Sequence, residues 1–227
     1  MGLGLGLVVC LVIFVIVGFM VFQAYFAARQ WRRVIAAGDV HALDDLLDQT
    51  FEGWRNARPP RGVAPADWRA MHTAALVAAN HDYARVSMVV EPDVRVQQGQ
   101  RVEVGTAQEV ARRAATRMVE RLLYEVPYVS FSAVQVDVHT EYRSADGSVT
   151  NPCLLTTRAT RELASWSDWE AAGDASALLA EWDTREAMPG APVDPSVDAL
   201  IAAPDAVTVD PVEVIRAAER TIRERQS

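Results

Sequence analysis

Residues 2–26 carry no charged side chain and run through Leu, Val, Ile, Phe and Gly almost without interruption. Roughly 20 apolar residues suffice to cross the hydrocarbon core of a bilayer as a helix, so this stretch restricts the chain before anything else is read. In hydrocarbon every backbone N–H and C=O must be paired within the segment, which predicts a helix despite Gly2, Gly4, Gly6 and Gly18. A cleavable leader would place Lys or Arg ahead of a shorter apolar centre. Here no basic residue precedes the run, and Arg29, Arg32 and Arg33 come after it. The expectation is one N-terminal transmembrane helix, residues 1–28, in contact with the lipid bilayer through residues 2–26. Because the arginines lie on its C-terminal side, the N-terminus is expected outside the cell membrane and the soluble domain in the cytoplasm.

The chain beyond Arg29 is too rich in charge to be buried in lipid, and half of all residues are apolar, enough for one domain with its own core. All 22 basic residues are arginine; there is no lysine. A phosphate-binding loop ending in Gly-Lys-Ser/Thr, a kinase-type lysine and a Schiff-base lysine are therefore excluded. Cys10 lies in the apolar stretch and Cys153 beyond it, which leaves no disulfide within the soluble part and fits a reducing compartment. The formal charge of −8 is uneven: twelve carboxylates stand between Glu162 and Glu213 against the single Arg185. Such a portion is repelled by phosphate backbones, so nucleic acid is not an expected partner.

The pattern of apolar residues divides the remainder. Residues 29–58 read as membrane-proximal helices: Leu43, Leu46, Leu47, Phe51 and Trp54 recur at helical spacing opposite Asp44, Asp45, Asp48 and Glu52. The turn signal Arg58-Pro59-Pro60 ends them. Asp67 to Asn80 is open between helix and strand, with strand favoured for Thr73 to Ala79. Tyr83 to Glu91 is rich in β-formers, and Asp93 to Val104 alternates about a Gln-Gly turn as a hairpin does. Thr106-Ala-Gln-Glu109 is a capping box ahead of a helix that buries Val110, Ala114, Met118, Val119, Leu122 and Leu123. Tyr128 to Arg143 alternates over a long run, and Asp146-Gly147 turns it toward a partner strand, Val149 to Arg161.

The resulting expectation for residues 65–185 is an α+β soluble domain with an antiparallel sheet packed on a central helix. A second capping box, Ser167 to Glu170, opens a closing helix carrying Trp169, Leu178, Leu179 and Trp182. Residues 186–227 form an acidic, proline-rich tail, with a short C-terminal helix signalled by Asp210-Pro211-Val212-Glu213.

Chemistry is sparse. Asp137, His139 and Glu141 alternate along one strand and so share a face, where one nitrogen and two carboxylates suit a divalent metal. The competing account is the solvated polar face of a half-buried sheet, continued by Gln135 and Arg143. Arg113, Arg117 and Arg121 stand one turn apart on the central helix and suit an anion, although Glu109 and Glu125 at four-residue spacing can pair with them. Trp166, Trp169 and Trp182, or the C-terminal helix, offer a surface for a protein partner. No cofactor motif, Gly-x-Ser-x-Gly turn or repeat occurs. The function expected is a membrane-anchored cytoplasmic interaction or assembly module without catalytic activity. The alternative is a membrane-tethered metal-dependent or small-molecule-binding domain using Asp137, His139 and Glu141.

Overall fold

The computed structural model describes residues 11–23, 25–26, 29, 40–97, 99–143, 147–169 and 175–203. Residues 11–23 are helical (α1), and their apolar side chains are exposed, Phe14 at 81% and Leu11 at 61%. Among the described residues no helix is long and apolar enough to cross a membrane, and the expectation of a transmembrane helix is corrected accordingly.

The domain proper begins with α2 (Val40–Asn56), then α3 (Pro65–His72), β1 (Ala75–Ala79) and β2 (Tyr83–Val90). The stretch that was open between helix and strand is therefore both. Pro65 stands at the first turn of α3, where its missing N–H costs nothing. Asn80 closes the turn between β1 and β2 by accepting from the backbone N–H groups of Asp82 and Tyr83 at 2.9 and 2.7 Å. A separate hairpin, β3 (Asp93–Gln97) and β4 (Gln100–Gly105), leads into the long helix α4 (Ala107–Tyr124). The Thr106–Glu109 capping box is present in both directions, with Glu109 N–H donating to Thr106 Oγ1 at 3.2 Å and Thr106 N–H donating to Glu109 Oε2 at 2.8 Å. Then come β5 (Ala133–Thr140), the short β6 (Tyr142–Arg143) and β7 (Val149–Thr150), β8 (Cys153–Thr160), α5 (Arg161–Trp166), α6 (Ala175–Glu181) and β9 (Asp183–Glu186).

Five strands form one sheet in the order β1-β2-β5-β8-β9. It is mixed, not antiparallel: β2 and β5 run parallel, with Arg85 beside Gln135, Val86 beside Val136 and Ser87 beside Asp137. A parallel pair needs a crossover, and the connection containing α4 supplies it. Alternation assigns side chains to faces but carries no sign of strand direction, which is why the sequence pattern did not reveal this pairing.

One face of the sheet carries Ala84, Val86, Met88 and Val90 from β2, Val134, Val136 and Val138 from β5, and Leu155 and Ala159 from β8, all buried in the core. Helix α4 lies across these strands with α3 and α6 beside it. Its predicted apolar set, Val110, Ala114, Met118, Val119, Leu122 and Leu123, is buried throughout. The arginines of α4 pin the layer at its margins. Arg112 forms a two-pronged pair with Glu186 on β9, at 2.8 and 2.6 Å, and Gln108 donates to the same carboxylate. The Arg112 guanidinium holds the Glu186 carboxyl below the usual carboxylate range.

Replacing Met118 by Ala leaves a cavity where the side chain is wholly buried, and is expected to cost about 2–5 kcal/mol in denaturant unfolding. Val96→Ala on the exposed hairpin is expected to stay within about 0.5 kcal/mol of the parent chain.

Candidate functional site

The opposite face of the sheet is polar in sequence yet closed to solvent. Arg85, Gln135, Asp137 and Thr156 are buried there, at 5%, 0%, 1% and 1% exposure. Register explains their meeting: Arg85 lies beside Gln135 across the parallel pair, and Asp137 lies beside Thr156 across the antiparallel pair of β5 and β8. Arg85 Nε donates to Asp137 Oδ2 at 2.7 Å. The other carboxylate oxygen accepts from Thr156 Oγ1 at 2.6 Å and from Gln135 Nε2 at 2.9 Å. A carboxylate removed from water is tolerated only when paired and hydrogen-bonded, and both conditions are met.

The backbone of residues 193–201, the strap, closes this face. After β9 the chain turns back through the Met188–Ala191 bridge, where Gly190 has φ of 80°, and Val193 N–H donates to the Cys153 carbonyl at 3.1 Å. Arg85 Nη2 donates to the Pro195 carbonyl at 2.9 Å and Nη1 to that of Ile201 at 3.3 Å. Gln135 uses both ends of its amide: Nε2 donates to the Pro195 carbonyl at 3.0 Å, and Oε1 accepts from Leu200 N–H at 2.9 Å. Further out, Arg185 Nη2 donates to the Val197 carbonyl, and Arg158 Nη1 donates to that of Asp198. Asp198 has φ of 54°, a left-handed conformation that non-glycine residues adopt at a cost.

Among the candidate metal ligands, Asp137 is the acceptor at the centre of this network. His139 is half-buried, with Nδ1 3.1 Å from the Asn151 carbonyl, to which it donates in that tautomer. Glu141 falls outside β5, is exposed, and accepts from Arg143 at 3.2 Å. Among the described residues no group of three or more His, Cys, Asp or Glu side chains stands close enough to hold a metal ion. The strand alternates as expected only from Ala133 to Thr140, and its polar face is buried rather than solvated.

The candidate anion-binding arginines are drawn apart. Arg113 reaches across to α3, where Nε lies 3.1 and 3.0 Å from the two oxygens of the buried Asp67 and Nη2 lies 2.9 Å from Oδ1. Arg121 is stacked between Trp54 of α2 and Trp68 of α3, 5.3 Å from each ring centre, and lies 3.4 Å from Glu125, in keeping with their four-residue spacing. Arg117 lies half-buried between them on α4. The three tryptophans also part: Trp182 is buried, Trp169 packs against it and against Tyr124, and Trp166 is 83% exposed. The C-terminal helix signalled at Asp210 lies outside the described residues, as does Glu170 of the second capping box.

Cys153 is buried at the start of β8, and desolvation pushes its thiol up to about 12, so it is a poor nucleophile. Sequence reasoning missed Arg85, Thr156 and the strap. One signal was present: an arginine in the middle of the apolar run Tyr83–Val90 needs a partner wherever that run is a central strand.

No protein-family model, characterised protein or solved structure matches this chain.

Asp137→Asn leaves the buried Arg85 without its counter-ion and is expected to cost about 3–5 kcal/mol in denaturant unfolding. The double change Arg85→Met with Asp137→Leu is expected to cost less than Asp137→Asn alone. A double variant less stable than the single one contradicts the pairing.

Proposed function

We propose that the chain is a non-catalytic interaction or assembly module that works at a lipid surface. The observation that supports this most is that the polar face of the sheet is already occupied by polypeptide: Arg85, Gln135, Arg158 and Arg185 all direct donors at the backbone of residues 193–201. Groups committed to holding a chain segment suit recognition better than proton transfer or metal chemistry. Trp166, largely exposed beside an exposed Leu163 on α5, adds an aromatic anchor of the kind that carries interface energy.

The apolar stretch 2–26 is the part assigned to lipid. Its described residues expose apolar side chains all round the helix, an arrangement at odds with water. Arg29, Arg32 and Arg33 come next and suit anionic headgroups, which supports a role at the cytoplasmic face of the cell membrane.

The test is bound-metal analysis of the purified full chain and of His139→Ala, together with chemical cross-linking of the chain in its native membrane. Cross-links to a protein partner, with metal below stoichiometric level, are the expected result. Stoichiometric metal that is lost in His139→Ala overturns the reading.

A further inference from the structure

Each hydrogen bond that the sheet face makes to the strap ends on a main-chain atom: the carbonyls of Pro195, Val197, Asp198 and Ile201, and the N–H of Leu200. The face therefore reads the path of a polypeptide rather than its side chains. The sheet supplies three arginines, Arg85, Arg158 and Arg185, and the strap laid over them carries Asp194 and Asp198 and no basic residue. Asp137 neutralises Arg85 and Asp183 neutralises Arg158, so the charge that the face turns toward an acidic occupant is that of Arg185.

The strap is also the part of the domain best suited to leave. None of residues 193–201 is fully buried, in contrast to the strands beneath them. Its attachment is mostly polar, and water can replace backbone carbonyls as hydrogen-bond acceptors once the strap lifts. It contains the left-handed Asp198, and the Met188–Ala191 turn ahead of it is exposed. Segments with few buried apolar contacts open at the low end of a protein's range of local stability.

We propose that this sheet face is a peptide-binding groove, that residues 193–201 are its tethered occupant, and that a partner protein engages it by inserting an acidic segment of the same chemistry. This rests on the interaction-module reading above and names its partner class. A tethered occupant faces its groove at an effective concentration of order millimolar, so a free segment succeeds only when the strap is weakened or the partner adds contacts elsewhere.

The probe is a fluorescent peptide with the sequence of residues 191–203, titrated into the full chain and followed by anisotropy. Asp198→Val puts a β-branched residue at a left-handed position of the tethered strap, and Leu200→Pro removes the N–H that donates to Gln135. Neither change alters the groove. Each variant is expected to bind the peptide about tenfold more tightly than the parent chain, the scale set by the left-handed penalty for Asp198→Val and by one lost hydrogen bond for Leu200→Pro. Slow hydrogen exchange at the Val119 amide of α4, on the other face of the sheet, reports throughout that the domain is folded.

Peptide affinity unchanged in both variants while the Val119 amide stays protected overturns the proposal. Loss of that protection on weakening the strap overturns it too, because the strap is then part of the fold. Dimers formed by Asp198→Val without added peptide overturn the separate partner in favour of strap exchange between copies. A protein partner cross-linked in membranes, with no peptide bound here, removes only this inference and leaves the module reading standing.

Discussion

The Arg85–Asp137 ion pair is the constraint around which the second face of this sheet is built. With side chains 6% and 2% exposed, neither charge keeps a hydration shell, and a single contact of 2.7 Å does not replace one. The remaining hydrogen-bonding capacity has to be met by the protein. Thr156 and Gln135 meet it on the carboxylate, and the Pro195 and Ile201 carbonyls meet it on the guanidinium. Two layers thus depend on one pair: the parallel register that brings β2 beside β5, and the strap that covers them.

The two faces of the sheet are stabilised by different physics. On the helix side, valines, alanines and leucines lose water against α4, and the gain scales with the apolar area removed. On the strap side, polar groups exchange water for one another, a nearly balanced trade in which each orphaned group would be expensive. The first face explains why the domain folds. The second explains why a segment with no helix or strand of its own from Val193 to Ile201 has a defined place on it.

How much of this was legible beforehand depends on the range of the signal. Local signals read well: the Thr106–Glu109 capping box, the apolar stripe of α4, the hairpin about Gly99 and the two strands on either side of Asp146-Gly147 all arise from neighbours within a few residues. Long-range partnership did not. Arg113 had Glu109 at a suitable helical spacing and chose Asp67 instead, because α3 presents that carboxylate in a buried position. Asp137, His139 and Glu141 share a strand pattern, yet the strand ends before Glu141, and Asp137 is claimed by an arginine 52 positions away. The apolar N-terminal stretch was the loudest feature of the sequence, and hydropathy alone overstated it as a span.

The central claim is that residues 193–201 close the polar face by backbone contacts to buried side chains. Hydrogen exchange at the Leu200 amide in the full chain tests it most directly, because that N–H has the buried Gln135 Oε1 as its acceptor, 2.9 Å away. Exchange slowed by about tenfold or more relative to an unstructured peptide, and restored toward the free rate by Gln135→Met, is the result predicted. An amide that exchanges at the free rate in the parent chain, with the strands beneath it still protected, would contradict the account.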